Sequence, residues 1–282
     1  MATEHVNHVN YEEIAPTYNQ RYVANPLPQV AATLRALVQD LSPARILEVG
    51  CGTGRWLSEV RAPAAPPVPA RTEPGAQGRR AGRQVFGLDP SPAMLDQARP
   101  DHAPPDLACG QALHLPFLDH TFDLVFCVNA LHHFGGPRAF VAEARRLLAP
   151  GGTLAVIGMD PRRSRDTWFI YDYFEGTYTA DVRRMPTPGA LVDWMAEEGF
   201  ERVEWRPAER IFGPLTGRDV LKNSFLHKGG TSQLALLSDE AFVLGMQRIE
   251  AALAQAEAAG QTLVFPVDIL LTIIVGRLPG GS

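Results

Sequence analysis

The chain has 282 residues, of which 45% are hydrophobic and 20% charged, and its formal net charge is −5. This is enough apolar sequence for a large core, and the acidic balance argues against a nucleic-acid partner, which favours a basic surface. The first residues, MATEHVNHVNYEE, lack the basic start and apolar stretch of a signal peptide, and no apolar run approaches the roughly 20 residues that span a bilayer. We therefore expect a cytoplasmic protein with no nucleic-acid or membrane partner.

Five short apolar runs predict the strands of one sheet. They are nearly continuous in apolar residues, a pattern typical of parallel strands buried on both faces. Helical patterns separate several of them: one begins after Ser91 and Pro92 and runs to Ala98, and another covers residues 137–148. This alternation predicts an α/β fold with a doubly wound, mostly parallel sheet. The five runs are residues 44–50, 84–89, 106–110, 122–128 and 152–159.

Two segments interrupt this alternation. Residues 61–83 hold five prolines and five arginines without apolar periodicity, which predicts a flexible insertion. Residues 209–262 separate a predicted strand at 202–208 from a last apolar run at 263–277, and they include a helix that Ser238 can cap. One face of that helix carries an apolar stripe, for which ordinary packing is the favoured interpretation. The stripe consists of Phe242, Met246, Ile249 and Leu253.

These segments suggest a plan for the whole chain. We predict an N-terminal helical lid over residues 1–43, an α/β core over 44–160 and cap helices over 161–200. The last two strands then lie within 201–282, with the helical insertion 209–262 between them.

The stretch ILEVGCGTGRW, residues 46–56, places three glycines directly after a predicted buried strand. Such a turn lies at the carboxyl edge of the sheet, where doubly wound folds bind ligands, and glycine lets the backbone approach a ligand closely. A dinucleotide site of the G-x-G-x-x-G type needs a small residue where Arg55 stands. A nicotinamide or flavin enzyme is therefore disfavoured.

Five motifs resemble those of class I S-adenosylmethionine-dependent methyltransferases, in the small-molecule branch that includes ubiquinone- and menaquinone-pathway enzymes. They are EVGCGTG (48–54), VFGLDPSPAML (85–95), GQALHLPF (110–117), FDLVFCVNALHHF (122–134) and LLAPGGTL (147–154). The resemblance implies a Rossmann-like, seven-stranded sheet with a helical cap. It implies S-adenosylmethionine as the cofactor, S-adenosylhomocysteine as the product and in-line transfer of the methyl group.

The resemblance also assigns cofactor-binding residues. Glu48 is expected beneath the glycine turn, holding its amides, and Asp89 is expected to accept the ribose hydroxyls. The family usually has an acid where this chain has Gln111, whose amide oxygen could still accept from the adenine amino group. The expected set is Glu48, Gly50, Cys51, Gly52, Gly54, Asp89, Pro90, Met94, Gln111, Ala112 and Asn129.

His132 and His133 follow the fourth predicted strand, beside the expected methyl donor. A histidine there could act as a general base, and His133 is the preferred candidate, although the pair could instead only shape the pocket. Five tyrosines are candidates for binding the acceptor, each with plain packing as its alternative: Tyr11, Tyr18, Tyr171, Tyr173 and Tyr178. The histidines show no metal-ligand spacing, so no metal is expected.

The sequence thus predicts a methyltransferase for a small, largely hydrophobic organic acceptor. The alternative is an inactive scaffold or regulatory subunit that binds S-adenosylmethionine without turnover. The chain could be a monomer or a homodimer, because the apolar face of residues 209–262 could cover the acceptor or contact a second copy.

Overall fold

The structure is a computed structural model that describes residues 9–61, 83–98, 106–164 and 167–281. The predicted insertion at 61–83 lies almost entirely outside the described residues. The strands are β1 (Arg45–Val49), β2 (Gln84–Asp89), β3 (Asp106–Cys109), β4 (Phe122–Val128), β5 (Leu148–Met159), β6 (Glu201–Phe212), β7 (Leu215–Thr216), β8 (Val264–Phe265) and β9 (Asp268–Arg277). The helices are α1 (Tyr11–Ile14), α2 (Arg21–Ala24), α3 (Pro28–Leu41), α4 (Arg55–Arg61), α5 (Pro92–Gln97), α6 (Pro137–Leu147), α7 (Ile170–Tyr173), α8 (Thr177–Arg184), α9 (Pro188–Glu197), α10 (Ser232–Ala235) and α11 (Asp239–Ala258).

Seven strands form one sheet in the order β3-β2-β1-β4-β5-β9-β6. The first five strands pair in parallel, and β9 runs antiparallel between β5 and β6. This is the predicted mostly parallel, doubly wound sheet. The carboxyl ends of β1, β2 and β4 therefore lie close together at one edge, on either side of the point where the strand order reverses.

The sheet separates two hydrophobic cores. Along β4, Leu124 and Phe126 belong to one core, while Val125 and Cys127 belong to the other. The first core includes residues of α3, α4, α7, α10 and α11, and the second includes residues of α6 and α9. Both faces of the sheet are covered, so the residues of a central strand are buried whichever face they point to. This explains the continuous apolar runs in the sequence.

Strand β3 differs from the expectation of burial on both faces. Its terminal residues Asp106 and Cys109 are exposed, and the two between them are only partly buried. The reason is its position at the edge of the sheet, where it pairs only with β2. Cys109 is therefore exposed, whereas Cys51 and Cys127, next to or within the central strands, are buried.

The helix boundaries follow the predicted capping signals. The Ser91 hydroxyl accepts a hydrogen bond from the Met94 amide at 3.1 Å, and Pro92 is the first residue of α5. The Ser238 hydroxyl accepts one from the Ala241 amide at 3.1 Å at the start of α11. Each serine satisfies an amide that the first helical turn leaves without a partner.

The segment between the last two strands of the sheet is mostly helical and includes one short antiparallel pair of strands. Strand β6 continues to Phe212, so the segment between the last two strands of the sheet begins later than residue 209. This segment contains the pair β7–β8, a 3-10 helix at Gly217–Lys222, α10 and α11. Within the described residues, none of the helices has both the length and the hydrophobicity needed to cross a bilayer.

The apolar stripe of α11 packs within the chain. Ile249 and Leu253 are fully buried in the first core, and Phe242 and Met246 pack against it. Phe242 stacks on Phe174 with ring centroids 5.7 Å apart. This burial supports the packing interpretation of the stripe over an interface with a second copy.

Candidate active site

The glycine turn after β1 needs glycine for two different reasons. Gly50, Gly52 and Gly54 all have positive φ angles, of 73°, 52° and 72°, which other residues seldom adopt. A Cβ on Gly50 would lie 2.5 Å from the Cβ of Ala130, and a Cβ on Gly54 would lie 3.0 Å from that of Ala98. Gly52 differs, because a Cβ there would have no neighbour closer than 3.9 Å. Its backbone is therefore the part of the turn that a ligand can approach.

Asp89, rather than Glu48, holds the amides of this turn. Its Oδ2 accepts a hydrogen bond from the Gly52 amide at 2.8 Å, and its Oδ1 accepts one from the Ser91 amide at 3.0 Å. The backbone carbonyl of Leu88 accepts from the amides of Gly50 and Cys51. The expectation that Glu48 bonds the turn is wrong. Each Asp89 oxygen retains a second lone pair, which leaves the carboxylate able to accept bonds from a ligand.

The carboxyl of Glu48 is buried without a hydrogen-bond partner in the described part of the chain. Only 1% of the residue is exposed, and neither carboxyl oxygen receives a bond. Burial raises the pKa of Glu48 well above its ordinary value, and the nearby charge of Asp89 adds to this effect. A buried carboxyl of this kind is costly unless a hydrogen-bond donor pairs with it.

A cavity of about 570 Å³ opens at the carboxyl edge of the sheet. It collects residues from the ends of β1, β2 and β4 and from the N-terminal segment. Eleven of the residues predicted to bind cofactor, base or acceptor line it: Tyr11, Tyr18, Gly50, Gly52, Asp89, Pro90, Met94, Gln111, Ala112, Asn129 and His133. Glu48, Cys51, Gly54 and His132 do not line this cavity.

A second cavity, of about 130 Å³, adjoins the first. Both are lined by Tyr11, Tyr18, Asn129 and His133, and His132 lines the second alone. Asn129 has a φ angle of 50°, a left-handed conformation that asparagine tolerates better than most residues and that is enriched at functional sites. The two cavities meet at these four shared residues, which are called the shared wall below.

The second cavity is mostly apolar with a few polar groups, as is typical of small-molecule sites. Its lining includes residues that the sequence analysis did not single out, namely Arg21, Tyr22, Leu27, Trp168, Ile211, Phe225, Gln233, Ile269 and Leu271. These residues come from the N-terminal segment, the region around α7, β6, the segment that follows it, and β9. In the sequence, these lining residues could have been suspected only because their segments are apolar or aromatic and lie outside the five motifs.

Tyr11 and His133 meet at the wall between the cavities. The Tyr11 hydroxyl and His133 Nε2 are 2.7 Å apart, and their rings pack edge to face. Burial raises the pKa of the Tyr11 hydroxyl far above its usual range, so Tyr11 stays protonated and is the donor. In a neutral imidazole, Nε2 is then the acceptor.

His132 lies beside this pair, with its ring centroid 4.0 Å from that of His133. Burial, followed by the charges on its neighbours, lowers the pKa of His132 well below its ordinary value, which keeps the ring neutral. Its Nε2 is buried and has no hydrogen-bond partner among the described residues.

Tyr171, Tyr173 and Tyr178 line neither cavity. Tyr171 is buried, and its hydroxyl donates to the carboxylate of Asp181 at 2.7 Å. Tyr173 and Tyr178 pack against the first core. Their predicted role in binding the acceptor therefore has no support in this geometry.

The larger cavity fits S-adenosylmethionine in its donor set. The open backbone of Gly52 suits the amino-acid end of the cofactor, which carries an ammonium group. Asp89 has free lone pairs for a ribose diol, and Gln111 with Ala112 offers a polar and an apolar contact for the adenine ring. A cofactor in this cavity would lie next to the wall formed by Tyr11 and His133.

Comparison with known proteins agrees with this fit. The family described as "Methyltransferase domain" matches residues 72–156. Demethylmenaquinone methyltransferase from Thermus thermophilus is 30% identical over 220 residues, which cover 67% of this chain and 90% of that protein. The enzyme of the same name from Deinococcus radiodurans is 30% identical over 198 residues, covering 62% of this chain and 74% of the relative.

A solved structure shows the same fold. A putative methyltransferase from an antibiotic biosynthesis pathway of Anabaena variabilis superposes with a TM-score of 0.61 at 21% identity, covering 88% of this chain and 97% of that one. The chain belongs to the methyltransferase family, in the class that uses S-adenosylmethionine. It is an S-adenosylmethionine-dependent methyltransferase that acts on a small-molecule acceptor, and the comparisons give no support to the inactive scaffold.

Proposed function

We propose that the cavity of about 130 Å³ binds a small, largely hydrophobic acceptor for methylation. One observation carries this proposal: this cavity shares the wall of Tyr11, Tyr18, Asn129 and His133 with the cavity that fits the cofactor. An acceptor in one cavity and a cofactor in the other would be neighbours where the two cavities meet at these residues. Several relatives are named for demethylmenaquinone, a hydrophobic ring compound, which agrees with an apolar acceptor.

The cofactor supplies a methyl group on a positively charged sulfur. The residues of the chain hold the two reactants in line and exclude water, which accounts for most of the rate enhancement in a displacement of this kind. We assign cofactor binding to Gly50, Gly52, Asp89, Gln111 and Ala112, with Glu48 beneath them. Segments 9–25, 167–185 and 212–235 form the cap over the acceptor.

Tyr11 and His133 provide a route for the proton of an acceptor hydroxyl. The acceptor proton passes to the Tyr11 oxygen while the Tyr11 proton passes to His133 Nε2, 2.7 Å away. The acceptor oxygen is thereby left with the electron pair that attacks the methyl group. The alternative, in which the pair only shapes the pocket, makes a different prediction for substitutions.

A methyl-transfer assay tests this proposal. The enzyme is incubated with S-adenosylmethionine labelled on the methyl group and with hydroxynaphthalenes, and the label is followed into the organic phase. We expect Tyr11→Phe and His133→Asn to lower kcat about a hundredfold, the usual contribution of a general base. The dissociation constant of S-adenosylhomocysteine should change little, since neither hydroxyl nor imidazole is assigned to cofactor binding.

The matched control is His120→Asn. His120 is exposed and bonds the backbone carbonyl of Leu148 away from both cavities, so this variant should keep full activity. Equal activity of His133→Asn and the control would show that His133 only shapes the pocket. Binding of S-adenosylhomocysteine without transfer to any acceptor would favour a scaffold.

A further inference from the structure

Arg21 is a half-buried cation in the acceptor cavity and has no counter-ion in the described part of the chain. It forms no ion pair with any described carboxylate, although eleven ion pairs are formed elsewhere. None of the residues that line this cavity is an aspartate or a glutamate. A guanidinium is always charged at physiological pH, and placing it in an apolar cavity is costly unless an anion pairs with it.

The guanidinium is also fixed in place. Its carbon lies 3.7 Å from the centroid of the Tyr18 ring, and Nη2 donates to the carbonyl of Gly229 at 2.9 Å. Among its N–H groups, the one at Nε is buried and has no hydrogen-bond partner in the described part of the chain. A rigid donor with an unused N–H is prepared to bind an oxygen of a ligand, because little conformational entropy remains to be lost.

The charge of Arg21 reaches Tyr11, one of the two residues assigned to catalysis. Together with Arg184, it opposes the rise in the pKa of Tyr11 that burial causes. It also contributes, after burial, to the lowered pKa of His227. The cavity therefore has a positive field on the side of Arg21.

We propose that the acceptor is a hydrophobic molecule that carries a carboxylate, and that Arg21 binds this carboxylate in the acceptor cavity. The proposal rests on the function proposed above and adds the chemical class of the substrate. A carboxylate matches the planar donors of arginine, and the apolar lining, including Leu27, Trp168 and Phe225, would contact the remainder of the molecule. An acceptor of this class differs from an uncharged quinone.

Arg55 provides a matched control inside the same protein. Its guanidinium stacks over Tyr22 and Trp56, Nη2 donates to the carbonyl of Pro26, and its Nε is likewise buried without a partner. Arg55 lines neither the acceptor cavity nor the cofactor cavity. Both arginines thus stack on aromatic rings and donate to a backbone carbonyl, but only Arg21 lines the acceptor cavity.

The experiment measures binding of 2-naphthoate and of 2-naphthamide, its uncharged analogue, to the protein saturated with S-adenosylhomocysteine, by isothermal titration calorimetry. We expect naphthoate to bind about tenfold or more tightly than naphthamide, as for a charge-assisted hydrogen bond. Arg21→Gln should abolish this preference, Arg21→Lys should retain part of it, and Arg55→Gln should leave it unchanged. Equal affinity for the two probes, no binding of naphthoate, or an undiminished preference in Arg21→Gln would overturn the proposal.

A second measurement, by NMR, is made on the wild-type protein and so keeps the Arg21 side chain. The Arg21 Nε–H resonance of the wild-type protein, assigned from its absence in Arg21→Lys, should shift on addition of naphthoate and not of naphthamide. An unmoved resonance would contradict the proposal even if Arg21→Gln failed to fold. Failure of the function proposed above would look different, because naphthoate could then still bind through Arg21 while no hydroxynaphthalene accepts the labelled methyl group.

Discussion

Both carboxyl oxygens of Glu48 are buried without a hydrogen-bond partner among the described residues. Because folding raises its pKa, the carboxyl contributes full stability only below its unfolded value near 4.5, and this contribution is lost as the pH rises toward the folded pKa. We predict that Glu48→Gln melts at a higher temperature than the ligand-free wild type. The gap should widen as the pH rises above about 5, since only the wild type carries a carboxyl that titrates there.

The same substitution should act in the opposite direction on cofactor binding. If Glu48 pairs with the ammonium group, Glu48→Gln weakens S-adenosylhomocysteine by about tenfold, the value of one charge-assisted bond. Differential scanning calorimetry across pH and titration calorimetry check the two halves separately. A difference in melting temperature between Glu48→Gln and the wild type that is constant with pH would contradict the conclusion that the Glu48 carboxyl is buried and unpaired.

Asp89 has two tasks in the structure, and its removal should reveal both. Asp89→Ala should weaken S-adenosylhomocysteine by about 1–3 kcal/mol, because ribose hydroxyls lose their acceptor. It should also lower the melting temperature, because the amides of Gly52 and Ser91 lose theirs. Unchanged affinity would place the ribose contact elsewhere.

Asp123→Ala is the control for this substitution. Its carboxylate accepts from the amides of Ala44 and Arg45, each at 2.8 Å, at the start of β1 and far from the carboxyl edge. This variant should lose stability like Asp89→Ala while keeping the affinity for S-adenosylhomocysteine. The pair therefore separates the structural task of Asp89 from its binding task.

At the scale of elements, the close approach of α11 to α7 depends on Gly245. A Cβ there would lie 2.2 Å from Cδ1 of the buried Phe174 ring. Alanine would gain about 1 kcal/mol of helix propensity, but overpacking costs about 1–3 kcal/mol. We therefore predict that Gly245→Ala lowers the melting temperature and increases hydrogen exchange in α7 and α11.

Gly189→Ala tests the same replacement in a helix without a close neighbour. A Cβ on Gly189 would have no contact shorter than 3.9 Å, so α9 should be unaffected or slightly stabilised. A Gly245→Ala protein as stable as the wild type would mean that α11 shifts away from α7 at little cost.

The sequence allowed prediction of elements whose signal is local. Strand β4 is apolar at nearly every position because both cores need it, and Ser238 marks the start of α11 by its capping chemistry. The exposure of Cys109 could not be predicted, since an apolar run does not indicate which strand lies at the edge. The Tyr11–His133 bond joins residues 122 positions apart, and only the packing of the N-terminal segment over the sheet brings them together. The importance of Arg21 could not be predicted from the sequence, because it depends on the lack of aspartate and glutamate among the described residues that line the acceptor cavity.

At the scale of the whole molecule, the cap is assembled from three segments that are distant in the chain. We predict that peptides within residues 167–185 and 210–235 gain protection from hydrogen exchange when S-adenosylhomocysteine binds, because the shared wall becomes ordered. The protein should sediment as a monomer, since the stripe of α11 is already buried within the chain. Protection that does not depend on the ligand, in a protein that sediments as a dimer, would instead indicate that these segments form an interface.

The wall shared by the two cavities has a consequence for the order of events in turnover. Tyr11 and Tyr18 line both cavities. An acceptor that packs against them in its own cavity therefore also slows the release of the cofactor from the neighbouring cavity. Coupling of this kind is reciprocal, and the cofactor should tighten binding of the acceptor by the same factor. We expect a compulsory sequence in which the cofactor cavity fills first and empties last. At saturating substrate, the slow step would then be the opening of the N-terminal segment, and the turnover rate would depend more on solvent viscosity than on the leaving sulfur.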